Sequence, residues 1–397
     1  MNNKKFFFIS AAVFLAAFGD LRNLIGAQTY WALWAGVALG SVFATSLNGI
    51  TKSPLPKEFF IGISIIVVAA LLEATYNSNF LSVYQALKLI AIFLFAWAIS
   101  IVCRELKARD IYKISSLVIN VQLAIFLISL YLLDEWHFML GDGRQGSIVA
   151  YPGVSWKTGV YLLPFVLAYL IDNRKSITGY LTFLSATYLI FVDGSRTAII
   201  LWGLILICFV ALVIIRSSKI SLIIFASCAL VSVLAFFIFE LASSFLENAL
   251  QDFVISTKRF DEEDSLRVKM YSEGIKLINQ CLPFGCGFGE SAVETDQGMV
   301  VIHNAYIQIA GDFGFIGVIG FLMVIFSPGL KLIYKYKSWI SLTNVKSVRF
   351  LFPIIASFSI AVAYFFHPYS TEMSDWGWLI LINTWLIVIS TTMQLKK

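Results

Sequence analysis

The chain has 397 residues, 59% of them hydrophobic and 13% charged, against about 45–50% apolar and about 25% charged in a soluble globular protein. Water is therefore not its main solvent, which excludes a soluble enzyme, a secreted disulfide scaffold and a disordered chain. The formal net charge of +5 is a membrane-topology signal rather than a groove-binding patch, so membrane lipids are expected partners and nucleic acid is not.

Apolar stretches bounded by charge, turn residues or proline predict twelve spans, centred near Val13, Val37, Ile66, Leu94, Ile125, Phe165, Ala186, Leu206, Val231, Val318, Phe358 and Trp385. A helix in lipid satisfies its own backbone hydrogen bonds, whereas a barrel needs alternating strands that do not occur here. The expected fold class is an all-α integral membrane protein. The first stretch, Phe6 to Phe18 after Lys4 and Lys5, has the look of a short signal segment and is read as a retained first helix.

Placing the N-terminus inside puts 19 of the 29 Lys and Arg residues on the cytoplasmic side, and both termini with them. Lys88 alone among the basic residues falls within a span, where its long side chain can snorkel. Asp20 and Arg22, in the first outer turn, are expected to pair with each other or to meet lipid headgroups.

Every connection is short except Glu240 to Val301, between spans nine and ten on the outer face. It divides the chain into residues 1–239 with nine spans, a loop lobe at 240–301, and residues 302–397 with three spans. Within the lobe, Asp264 or Ser265 can cap a helix whose apolar stripe is Leu266, Met270, Ile275 and Ile278, with Arg267 in its first turn. The acidic run Asp261 to Asp264 is read as a solvated helix start rather than a cation site. The following Cys281 to Gly289 segment, CLPFGCGFG, is read as a flexible connector, because no strand precedes it and the dinucleotide fingerprint is not met. Cys281 and Cys286 could pair in an oxidising compartment.

His303 then starts a helical segment at the outer boundary. Gly311, Gly314, Gly317 and Gly320 recur every third residue behind it, a stripe that lets another helix approach closely. Arg196 follows Asp193-Gly194-Ser195 in a very short outer turn, and Arg144 lies in the outer connection between spans five and six. Guanidinium presents a planar fork of donors suited to phosphate oxygens. Arg144, Arg196, Arg267 and the His303 imidazole on one face would therefore suit a lipid-linked pyrophosphate. A zinc site from His137, His303 and His367 is disfavoured by their wide separation and the lack of an HExxH pairing. A transporter or lipid-linked oligosaccharide flippase would place ionisable groups near mid-membrane, and this chain concentrates them at the outer surface. His367-Pro368-Tyr369, in the last outer turn, is read as structural capping.

The pair His303-Asn304, followed after nine residues by Gly314-Phe315-Ile316-Gly317, resembles the signature of the bacterial O-antigen ligase and O-antigen polymerase superfamily. Gly194-Ser195-Arg196-Thr197-Ala198, Ser265-Leu266-Arg267-Val268-Lys269-Met270-Tyr271 and the Arg144 to Gly153 region with Tyr151-Pro152 are similar to its other landmarks, in the right order. The resemblance implies a GT-C-type glycosyltransferase in the bacterial inner membrane, with its active site on the periplasmic face and no metal or other cofactor. The donor would be a glycan on undecaprenyl pyrophosphate. The acceptor would be a sugar hydroxyl of lipid A-core in a ligase, or another lipid-linked glycan in a polymerase. His303 would be the general base on the acceptor hydroxyl, and Arg196 and Arg267 would hold and neutralise the pyrophosphate. Arg144, Asn304, Tyr306, Lys269 and Arg259 would bind substrate. The spacing after His303-Asn304 favours ligase. Ile200 and Tyr271, where a ligase pattern would carry Leu four positions after Arg196 and Arg267, keep polymerase as the alternative.

Overall fold

Eleven of the twelve predicted span centres fall inside α-helices; the twelfth, Val231, lies outside the described residues. The computed structural model describes residues 3–45, 53–140, 143–216, 265–281, 283–295, 298–336 and 345–394. Among them the helices are α1 (Asn3–Ala17), α2 (Leu21–Ile25), α3 (Ala27–Phe43), α4 (Lys57–Tyr76), α5 (Phe80–Cys103), α6 (Ala108–Tyr131), α7 (Ser155–Asp172), α8 (Ile177–Asp193), α9 (Arg196–Arg216), α10 (Ser265–Cys281), α11 (Ala305–Tyr336), α12 (Val345–Ala363) and α13 (Met373–Gln394). Among the described residues, five helical segments are long and apolar enough to cross a bilayer: Lys57–Tyr76, Phe80–Cys103, Ala108–Tyr131, Ala305–Tyr334 and Met373–Ser390. The chain is a predominantly helical, multi-pass membrane protein. Two small antiparallel hairpins qualify the all-α expectation: β1 (His137–Met139) with β2 (Gln145–Ser147), and β3 (Ala292–Thr295) with β4 (Gly298–Val301). Each is a short local pairing, too brief to show in a search for alternation.

The chain divides into two compact units, one of residues 1–107, 263–335 and 357–397, the other of 108–262 and 336–356. In the first, α13 is the centre, packed against α1 and α5. Of its apolar window 89% is buried inside the protein, against 44% for α4. That burial explains its composition. A helix wrapped by protein instead of lipid can carry polar groups, and α13 buries Asn383 and Thr384 beside Trp376, Trp378 and Trp385. Asn383 Oδ1 accepts from the Ser357 hydroxyl of α12 at 2.9 Å, and the Thr384 hydroxyl returns to the Ile380 carbonyl.

The glycine stripe on α11 divides its work. Gly320 meets Gly62 of α4, and a Cβ on either would stand 2.6–2.7 Å from the other's carbonyl oxygen. Only two glycines permit that crossing. Gly320→Val is therefore expected to destabilise the protein by about 1–3 kcal/mol through overpacking, and thermal unfolding in detergent checks it. An unchanged midpoint would mean that the two helices do not meet there. Gly311 and Gly314 face the 283–291 segment instead, and Gly317 faces Phe313 of its own helix.

Lys88 does not snorkel. Its Nζ donates to Glu372 Oε1 at 2.7 Å, beneath the Trp31 and Tyr84 rings, and Arg22 approaches the other oxygen at 3.3 Å. A carboxylate within reach holds an ammonium at span depth more effectively than a stretch towards water. Arg22 accordingly pairs with Glu372, a partner 350 positions away that a reading of the first turn alone could not supply.

In the second unit, α7 packs on α6, α8 and α9. Gly159 of α7 lets it lie against the Ala186 carbonyl of α8. Between α6 and α8, the Ser116, Asn120, Thr182 and Ser185 side chains bond to one another, interhelical polar contacts of the kind that join helices in lipid. Ser176 caps α8, accepting from Gly179 N, and Gly194 ends it in the left-handed conformation (φ 65°), which turns the chain directly into α9.

Candidate functional site

The three residues singled out for chemistry share one local setting, the N-terminal end of a helix. Arg196 is the first residue of α9, Arg267 the third of α10, and His303 stands two positions before α11. Unpaired N–H groups give such ends partial positive charge. A cation placed there is disfavoured unless an anion is shared, and the combination is a strong anion attractor.

In the second unit, the Asp193-Gly194-Ser195-Arg196 turn brings the Arg144 region and the Arg196 region together. The Ser195 hydroxyl accepts from Ala198 N, opening α9 at Arg196, which is half-buried. Arg144 Nε donates to the Asp193 carbonyl at 3.1 Å, and its NH2 lies 3.6 Å from Asp193 Oδ1. Oδ2 of the same carboxylate accepts from Gly153 N and the Ser155 hydroxyl, both at 2.8 Å, and from Trp156 N at 3.3 Å. Gly153 leaves the room that the guanidinium occupies, since a side chain there would strike it. Asp193 carries no chemical signature in the sequence beyond its place three residues before Arg196.

In the first unit, β3 and β4 lead the chain to His303. Its Nδ1 lies 2.8 Å from the Val301 carbonyl. A carbonyl only accepts, so this contact places a proton on Nδ1, which in a neutral imidazole leaves the lone pair on Nε2. Among the described residues Nε2 makes no hydrogen bond. Tyr271 of α10 steadies the same point, its single hydroxyl proton shared between the Phe365 carbonyl at 2.8 Å and the His303 carbonyl at 3.3 Å. Arg267 stands four positions before Tyr271, which places the two positions on one face of α10. Lys269, between them in sequence, is exposed, and Arg259 lies outside the described residues, as do the Asp261 to Asp264 run and the residue before α10.

Asn304 and Tyr306 both make contacts within the fold. Asn304 Oδ1 caps α11, accepting from Tyr306 N and Ile307 N at 3.0 and 3.1 Å. The Tyr306 hydroxyl donates to the Ala361 carbonyl of α12 at 2.9 Å, with the Phe365 ring against its own. Deeper along α11, buried Asp312 accepts from Ser291 N and Gln308 Nε2, while Gln308 Oε1 takes the Tyr369 N–H at 2.7 Å. Burial, then the Asp312 charge, raises the titration of the Tyr369 phenol well above its ordinary range.

The Cys281 to Gly289 segment is not the free connector expected. Helix α11 is broken at Gly314 (φ 66°), and the break exposes carbonyls that lipid could not satisfy. The segment plugs it: Cys286 N donates to the Gly311 carbonyl at 2.7 Å, Gly287 N to Asp312 at 3.2 Å, and Phe315 N returns to Pro283 at 3.3 Å. Asn77 Nδ2 and the Ser82 hydroxyl hold its outer side through Gly285 O and Phe288 N. A disulfide joins Cys281, the last residue of α10, to Cys286. Replacing both cysteines by serine is expected to cost about 2 kcal/mol for so small a ring. Unfolding of oxidised and reduced protein checks it, and equal midpoints would show the bridge to be idle.

Among the described residues no three His, Cys, Asp or Glu side chains gather as a metal cluster would require. His137 instead faces Gln145 across the β1–β2 hairpin at 3.1 Å.

Residues 181–322 match the family model described as O-antigen ligase. That span takes in Arg196, Arg259, Arg267, Lys269, His303, Asn304 and Tyr306, and leaves Arg144 outside it. No curated protein matches the chain significantly.

Proposed function

We propose that the chain acts as a member of the O-antigen ligase and polymerase superfamily, a reading supported by the O-antigen ligase match at residues 181–322, and that it transfers a glycan from undecaprenyl pyrophosphate to a sugar hydroxyl of lipid A-core. The reaction takes place at the periplasmic face of the bacterial inner membrane, on a twelve-span GT-C-type scaffold with both termini cytoplasmic. The observation that carries the reading is the matched segment itself, which contains Arg196, Arg267 and His303, each at a helix N-terminal end.

The acceptor hydroxyl oxygen attacks the anomeric carbon of the donor as the bond from that carbon to the pyrophosphate oxygen breaks. Inversion follows from attack opposite the leaving group. The hydroxyl proton passes to Nε2 of His303, the nitrogen that the Val301 contact leaves unprotonated. Arg196 and Arg267 neutralise the charge gathering on undecaprenyl pyrophosphate, in the field of their own helix ends. Arginine cations thus take the part that a metal plays at many phosphate sites. Arg144, Lys269 and Arg259 add positive charge for the donor, and Asn304 and Tyr306 shape the acceptor side by fixing the start of α11.

A polymerase uses the same chemistry with a second lipid-linked glycan as acceptor. Ile200 and Tyr271, four positions after Arg196 and Arg267, favour that second reading. Deletion followed by lipopolysaccharide electrophoresis separates the two. Loss of the whole ladder with lipid-linked polymer accumulating is expected of the ligase. A surviving core-plus-one-repeat band would identify the polymerase, and an unaltered ladder with no lipid-linked intermediate retained would overturn both.

A further inference from the structure

We propose that Asp193 is a positioning residue for the donor end of this reaction, holding the Arg144 guanidinium and the backbone at 153–156 against the turn that delivers Arg196. The proposal rests on the reading of Arg196 as a pyrophosphate ligand. Asp193 is the last residue of α8 and is fully buried. Its two oxygens have separate duties. Oδ2 gathers Gly153 N, the Ser155 hydroxyl and Trp156 N, and so fixes the start of α7. Among the described residues Oδ1 makes no hydrogen bond and stands 3.6 Å from the guanidinium, while the Asp193 carbonyl takes Arg144 Nε.

A buried carboxylate kept for stability alone is a poor choice, because well-packed neutral side chains generally serve as well. This one sets a cation at a fixed height beside the Arg196 turn. It also compensates one positive charge, so the Arg144 fork can stay against the turn before Arg196 without an anion present. A donor pyrophosphate then meets an Arg144 guanidinium already fixed against the 193–196 turn instead of having to order it.

Asparagine at this position separates the two duties. Its amide oxygen can still accept from Gly153, Ser155 and Trp156, but its NH2 then faces the guanidinium and repels it. Asp193→Asn is therefore expected to raise the KM for a glycan carried on undecaprenyl pyrophosphate by on the order of tenfold, the scale of one charge-assisted hydrogen bond. The acceptor KM should hardly move, nor should the amount of protein in the membrane. Arg144→Gln is expected to show the same donor defect, and the double variant to be no worse than Arg144→Gln alone. A wild-type donor KM in Asp193→Asn, or single defects that multiply in the double variant, would overturn the proposal. Should Asp193→Asn fail to accumulate, Arg144→Gln decides: a wild-type donor KM there removes the group through which Asp193 is said to act. Full transfer by Arg196→Ala would remove the underlying reading. Lost transfer in Arg196→Ala beside a wild-type donor KM in Asp193→Asn overturns the role of Asp193 alone.

Discussion

Alanine at His303 is expected to slow glycan transfer by about 10²–10⁴-fold, the usual worth of a positioned general base, with the protein still present in the membrane and lipid-linked donor still bound. The expectation comes from the ring's hydrogen bonding. The contact to Val301 leaves Nε2 as the nitrogen with a lone pair, and no described group occupies it. The surroundings are built for orientation: Tyr271 holds the His303 carbonyl, and Asn304 caps the helix that follows. A glutamine in place of His303 can imitate the ring's hydrogen bonds but cannot take a proton, so it should fail nearly as badly as alanine. Single-turnover transfer in a reconstituted system, with donor and acceptor both saturating, makes the test. Wild-type turnover in either variant would end the general-base assignment.

The second large effect is expected at Arg196. Removing its guanidinium should cost about 10²–10³-fold in transfer, comparable to the loss of one preorganised group that stabilises developing charge. Lysine should restore only part of this, because it offers a point charge where arginine offers a fork. The position strengthens the expectation, since Arg196 opens α9 and its charge adds to that of the helix end instead of opposing it. Measured with a pyrophosphate-linked donor, Arg196→Ala should lower kcat as well as weaken donor binding, because the charge on the leaving group grows as the bond breaks. A defect confined to KM would reassign Arg196 to ground-state binding.

Much of the scaffold was legible before any coordinates. Hydropathy is a local property, and runs such as Phe80 to Cys103 or Ala108 to Tyr131 declare themselves without knowledge of their neighbours. Ser265 to Cys281 emerged as a helix for the same reason, from its stripe and its cap signal. His303, Arg196 and Arg267 stand out as candidates because they are polar outliers at the ends of apolar runs. Their common place at helix N-terminal ends followed only once the helix boundaries were drawn. The surroundings of Asp193 are not legible in the sequence, since a single Asp in a short turn has no spacing that betrays the three donors and the guanidinium converging on it.

The amino-acid order by itself determined which segments are apolar helices, where the ionisable residues interrupt them, and which family segment lies between residues 181 and 322. Tertiary structure decided what those residues touch. It gave Lys88 a carboxylate 284 positions away, made α13 an inner helix whose polar side chains meet protein instead of lipid, and turned the glycine-rich Cys281 to Gly289 segment into the plug of a broken α11. The physical reason is the same in each case. Transfer into an apolar phase depends on composition summed over a short stretch, whereas satisfying a buried charge or an orphaned carbonyl depends on which distant group arrives within about 3 Å of it.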